Sequence, residues 1–266
     1  MQFESDTFEF LVRAQLICGS GKTDTYYALD KESKQVVFVK GPFKSKNEVE
    51  LTLKIIESKR YFSPVLQVKA EVKMLIPNLL TTPLGVRQKL DKSKAYPFLV
   101  FTDLCGFMSR DEQIPIKTKS SKMWPETEVV DWDKVDVSEV CKEDLKDDTI
   151  CKGYILALLF KYIFGINDIA NRNFMVNRQT KNVYGVDEDV IDKTFTFDRL
   201  AIAIKLEITN NWDRLNIDSV LVEWKETIQT NKQALADLFS EKFVENLEKR
   251  LGQIRKFMFL NNTQYF

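Results

Sequence analysis

The hydrophobic period of this chain is mostly two in its first part and mostly about 3.6 in its last, with an acidic block between. FEFLVRAQLIC and TYYALD flank a GSG turn, DKESKQ makes a second turn and VVFVK follows, a run of strands rich in β-branched and aromatic residues. NEVELTLKIIE then sets Val49, Leu53 and Ile56 at helical spacing, and VKMLIP and YPFLVFTDL supply two further strands. Beyond them DTICKGYILALLFKYIFG is dense enough in apolar residues for a buried helix. Two short strands, NFMVN and VYGVD, follow around a polar RQTK turn. Ile217, Val220, Leu221, Trp224 and Ile228 make one helical stripe, and Phe243, Leu247, Leu251, Ile254 and Met258 a second. Strands first and helices afterwards predict an α+β fold.

Three segments follow: a β-rich N-terminal lobe over 1–102, a hinge and acidic connector over 103–148, and a helical C-terminal lobe over 149–266. Net charge is +6 over 1–123, −7 over 124–148 and +1 over 149–266, so PETEVVDWDKVDVSEVCKEDLKDD reads as a solvated connector. Over the whole chain 39 basic residues balance 39 acidic ones, and no nucleic-acid partner is expected from that composition. MQFESDTFEF has no basic n-region and reads as neither a signal nor a transit peptide. YILALLF, between Lys152 and Lys161, falls far short of the roughly 20 apolar residues of a membrane span, so no span is expected. Cys18, Cys105, Cys141 and Cys151 form no C-x-x-C motif and are expected as plain buried thiols in a reducing, cytoplasmic setting.

Histidine is absent, which removes Ser-His-Asp and Cys-His systems, imidazole metal sites and any histidine base together. Chemistry is left to carboxylates, lysines, amides and bound metal. FGINDIANRNFMVNRQTKNVYGVDEDV, residues 164–190, holds Asp168, then Asn173 five positions on, then a hairpin, then Asp187. Phosphoryl transfer needs one carboxylate to orient and deprotonate a hydroxyl, and an amide with a second carboxylate to hold Mg²⁺ on a triphosphate. The alternative at these positions is a set of turn caps with no chemistry.

GINDIANRNFMV followed by VYGVDED resembles the catalytic loop and metal-binding segment of the protein-kinase-like superfamily. The likeness is nearest to its atypical branches, the phosphatidylinositol 3/4-kinase-like and aminoglycoside-phosphotransferase-like enzymes. It covers residues 164–190 closely and the lobe order loosely. The resemblance implies a two-lobed kinase-like fold, with an antiparallel N-terminal β lobe carrying one helix and a mainly helical C-terminal lobe. It implies ATP and Mg²⁺ as cofactors, Asp168 as the catalytic carboxylate, and Asn173 and Asp187 as metal ligands. It also implies Lys40, at the end of the third strand, on the α/β-phosphates, with Glu48 on the following helix holding it and Glu50 in reserve. Gly19 and Gly21 would line the triphosphate, and the main chain of Asp103, Leu104 and Cys105 would face adenine. This chain departs from the family in having Ile169, Ala170 and Asn171 where a histidine or arginine is usual. Glu188 and Asp189 replace Phe-Gly, and no A-P-E segment follows.

The function expected on this resemblance is ATP- and Mg²⁺-dependent phosphotransfer to a hydroxyl on a small molecule, a lipid headgroup or a protein. A catalytically silent kinase-like module for binding or assembly is the alternative that the sparse glycine loop and the DED sequence permit. A P-loop NTPase built on GSGKT, with Lys22 and Thr23, is the third reading. It lacks the first glycine, since Leu16 stands there, and TDTYYALD reads as strand where a helix is needed. Two orientations are open for Glu188: all three acids facing one phosphate site, or strand alternation turning Glu188 to solvent.

Overall fold

The computed structural model describes residues 3–4, 7–13, 24–43, 45–76, 91, 93–102, 116–119, 127–130, 137–169, 173–188, 191 and 216–262. The chain divides into two compact units. The first takes Met1–Leu53, Val68–Ser138 and Asn177–Gln179, and the second takes Lys54–Gln67, Glu139–Val176 and Thr180–Phe266. Among the described residues the fold is α+β, with antiparallel strand pairing and five α-helices.

The first unit is built on six strands: β1 (Phe3–Glu4), β2 (Phe8–Arg13), β3 (Asp24–Asp30), β4 (Val36–Gly41), β5 (Ala70–Leu75) and β6 (Tyr96–Phe101). Their order is β1-β2-β3-β4-β6-β5, every pair antiparallel. The β3–β4 turn closes because Asp30 Oδ1 accepts the N–H groups of Glu32 and Ser33 at 2.8 and 2.9 Å, the local bonding that favours aspartate in turns. Helix α1 (Lys46–Phe62) is inserted between β4 and β5, and the unit boundary falls inside it. Phe8, Tyr26, Ala28, Val37, Val39, Leu75, Phe98 and Val100 form one buried cluster.

Strand β4 is buried at all six positions, so both of its faces are covered. Lys40 is therefore buried, opposite Thr25 on β3 and Leu99 on β6, with its ammonium 6.0 Å from the Phe43 ring centroid. The region expected as a solvated connector carries strands: β7 (Ile116–Lys119) pairs with β8 (Thr127–Val130), and β9 (Val137–Glu139) follows. Thr127, Val129, Val130 and Val137 supply β-branched residues that the acidic count of this stretch concealed.

The second unit centres on helix α2 (Asp148–Phe164), buried over nearly its whole length. Asp147 caps it, its side chain accepting from Thr149 N at 2.9 Å and Ile150 N at 3.3 Å. The Lys181 ammonium, 2.7 Å from Asp147 Oδ2, holds that carboxyl below the usual range, helped by the same N–H groups. The hairpin β10 (Phe174–Asn177) and β11 (Asn182–Gly185) follows, and then helices α3 (Ile217–Thr230), α4 (Lys232–Leu238) and α5 (Glu241–Asn262). Phe62 packs edge-on against Phe160, Phe164 and Trp224 at 5.4–5.5 Å, and Trp224 Nε1 donates to Phe62 O at 2.9 Å. Among the described residues no helix is long and apolar enough to cross a membrane. Cys151 is buried as expected, whereas Cys141, two residues after β9, is exposed.

Candidate functional site

Helix α2 ends in a left-handed glycine. Gly165 has φ 74°, its N–H donates to Tyr162 O at 3.0 Å, and the N–H of Ile166 donates to Lys161 O at 2.8 Å. This double closure favours a residue without a Cβ, and a Cβ there would stand too close to the Arg250 guanidinium. The chain thus leaves the helix sharply and enters the loop that carries Asp168.

Asn173 ties that loop to the next segment. Its side chain is 1% exposed, and its Nδ2 donates to Asp168 O at 3.3 Å. Its own main-chain oxygen accepts the N–H of Val186 at 2.9 Å. Asp187 follows with φ 60°, a left-handed conformation uncommon outside glycine, asparagine and aspartate, and it is exposed. Asn173 therefore ties the main chain of Asp168 through its side-chain amide, and that of Val186, the neighbour of Asp187, through its own carbonyl. Asp168 is half-buried.

Glu188 takes neither of the orientations expected for it. It is 2% exposed, with Oε2 at 2.5 Å from Lys59 Nζ and Oε1 at 3.9 Å from Lys161 Nζ. Period-two alternation fails because the left-handed turn at Asp187 resets the direction of the next side chain. Lys59 Nζ also donates to Gly185 O at 2.9 Å. Lys161 Nζ donates to Val186 O at 2.7 Å and reaches Asp168 O at 3.5 Å. Burial pulls the Lys161 ammonium down to about 8, opposed by the charge of Glu188 and, more weakly, of Asp187 and Asp168.

Neither lysine was singled out by the sequence reading, although each leaves a trace there. Lys161 is the one charge inside the apolar run YILALLFKYIFG. Lys59 occupies a position of the buried stripe of α1, between Ile55 and Phe62 at helical spacing.

Lys40 lies in the first unit, as does Glu48, which sits in the first turn of α1 with its side chain outside the described residues. Glu50 is exposed. Gly19, Gly21, Lys22, Thr23, Asp103, Leu104, Cys105 and Asp189 all lie outside the described residues.

Among the described residues no group of three or more Asp, Glu or Cys side chains forms a metal-holding set. The candidate donors are two, the Asp187 carboxylate and Asn173 Oδ1, the amide atom left once Nδ2 is committed to Asp168 O. A pair of hard oxygens does not make a closed protein cage. It fits a cation such as Mg²⁺, which keeps several waters and takes further ligands from substrate phosphates. No protein-family model matches the chain, and no curated protein matches it.

Proposed function

We propose that this chain is an ATP- and Mg²⁺-dependent phosphotransferase of the kinase-like type, acting on a hydroxyl acceptor. The observation that carries this reading is the closure around Asn173: Nδ2 on the Asp168 carbonyl, and the Val186 N–H on the Asn173 carbonyl, immediately before Asp187. Asp168 would orient the acceptor hydroxyl and take its proton as the γ-phosphoryl passes to the hydroxyl oxygen and ADP leaves, and Asn173 Oδ1 with the Asp187 carboxylate would hold Mg²⁺. Mg²⁺–ATP, when bound, supplies the phosphoryl group and the neutralisation of its oxygens. Lys40 on β4, followed by the inserted helix α1 with Glu48, supports the same reading from the first unit, where a strand lysine and a helix glutamate serve the α/β-phosphates.

Calorimetry with ATP, in Mg²⁺ and in EDTA, tests the proposal. Binding at least tenfold tighter with Mg²⁺ is expected. ATP binding that magnesium does not improve would reject the metal-assisted mechanism and favour a kinase-like module without turnover.

A further inference from the structure

Lys161 spends a buried charge on two main-chain oxygens. It is 0% exposed, its ammonium donates to Val186 O at 2.7 Å, and it lies 3.5 Å from Asp168 O. These carbonyls belong to the two segments that bear the candidate carboxylates. A peptide group is planar, so a donor that fixes the carbonyl of residue 186 also fixes the plane from which Asp187 departs. The same holds for residue 168 and the turn after it.

A buried ammonium is costly, and a buried ion pair is weak evidence of stabilisation, because an apolar replacement of similar volume is often as stable. The surroundings of Lys161 nonetheless keep it charged near neutral pH. Glu188 stands 3.9 Å away as counter-ion, and the Phe174 ring centroid lies 5.2 Å from the ammonium. Gly185 leaves room for this arrangement: a Cβ there would stand 2.5 Å from Glu188 Oε1 and 3.2 Å from Lys161 Cε. Glu188 Oε1 has no hydrogen-bond partner among the described residues, so its charge serves Lys161 through space. Lys59 meets the other carboxylate oxygen and the Gly185 carbonyl, and touches neither carboxylate-bearing segment at residues 168 or 186.

From this geometry we infer that Lys161 is a positioning residue of the phosphotransfer site, with Glu188 as its counter-ion, holding the Asp168 and Asp187 backbones in one fixed relation. The inference rests on the proposed function and adds to it a residue that touches neither nucleotide nor acceptor.

The test compares Lys161→Met with Lys59→Met, each of which takes one cation from Glu188 and leaves the other. Calorimetry measures ATP affinity in Mg²⁺ and in EDTA, and hydrogen exchange measures protection of the Val186 amide. Lys161→Met is expected to lose at least tenfold of the Mg²⁺-dependent gain in affinity and to exchange at Val186 at least tenfold faster. Lys59→Met is expected to keep that gain within threefold while melting earlier. Parallel losses in the two variants, or a Lys161→Met protein that keeps both gain and protection, overturn the assignment. If Lys161→Met does not fold, Lys161→Gln removes the charge, keeps a polar side chain, leaves the Lys59–Glu188 pair intact and carries the same expectations. Failure of that variant to fold also overturns the assignment, since Lys161 then serves the fold. A wild-type protein without any Mg²⁺-dependent gain defeats the proposed function, and the Val186 protection alone then decides the role of Lys161.

Discussion

Asn173 binds Asp168 through the main chain of the aspartate and not through its carboxylate: Nδ2 donates to Asp168 O at 3.3 Å. The closure of the loop and the chemistry of the carboxylate are therefore separable by mutation.

Asp168→Ala keeps the main-chain acceptor, so the loop should stay closed while the proton acceptor is lost. ATP turnover should fall by roughly 10²–10⁴-fold, the usual contribution of a positioned base, with ATP affinity within threefold of wild type. Asn173→Ala does the reverse, leaving the Asp168 carbonyl to the longer 3.5 Å contact with Lys161 Nζ and removing a proposed metal ligand. It should cost about 1–3 kcal/mol of stability and most of the Mg²⁺-dependent binding. Single-turnover kinetics and calorimetry on the pair check both. Full turnover in Asp168→Ala would mean the catalytic carboxylate lies elsewhere.

Two glycines allow a matched comparison. A methyl group at Gly185 meets Glu188 Oε1 at 2.5 Å, whereas Gly252, within α5, has nothing within 4 Å of its added Cβ. Gly185→Ala should destabilise by about 1–3 kcal/mol, because the buried ions cannot give way without losing partners. Gly252→Ala should stabilise by about 0.5–1 kcal/mol through the lost chain entropy of a helical glycine. Urea denaturation of the two variants gives the signs, and equal small effects would show that the Gly185 contact is not tight.

Lys40 and Lys22 separate the two nucleotide readings. Lys40 is buried on β4, and under the kinase-like reading Lys40→Met should weaken ATP binding at least tenfold while Lys22→Met leaves it within threefold. Under the P-loop reading the order reverses, since the Walker lysine reaches the β/γ-phosphates. Equilibrium binding of ATP to both variants decides, and loss confined to Lys22→Met would favour the P-loop.

Asp168, Asn173 and Asp187 stand out in the sequence because their residue types and spacing match the proposed chemistry, and the tie from Asn173 to Asp168 O needs only a short loop. Most strands and helices were legible from a hydrophobic period sustained over each element, whereas β7, β8 and β9, of three or four residues each, are too short to sustain one. Lys161 and Lys59 were not, because a single charge in an apolar stripe reads as the edge of that stripe until its partner is known. Their partner, Glu188, is hidden by a backbone event: φ 60° at Asp187 breaks the alternation from which side-chain direction is inferred. Lys40 stands at a strand end in the sequence, and its burial follows from the covering of both faces of β4, which the local pattern does not reveal.

Lys161 should also leave a mark on the pH dependence of stability. Burial lowers its folded value from 10.5 to about 8, with Glu188 resisting the shift, while the unfolded chain keeps an ordinary lysine. Below pH 8 both states carry the proton, and the cost of burying the charge is present in full. Between pH 8 and 10.5 the unfolded state binds more protons than the folded one, so this residue makes stability rise with pH. One proton limits the slope to about 1.4 kcal/mol per pH unit. Other lysines and tyrosines titrate in the same range, so the measurement is a difference: urea denaturation of wild type and Lys161→Met at intervals from pH 7 to 10.5. The stability of wild type relative to Lys161→Met should be flat up to pH 8 and climb above it. A difference that stays flat throughout, or falls, would show that the Lys161 ammonium is not desolvated in the folded protein.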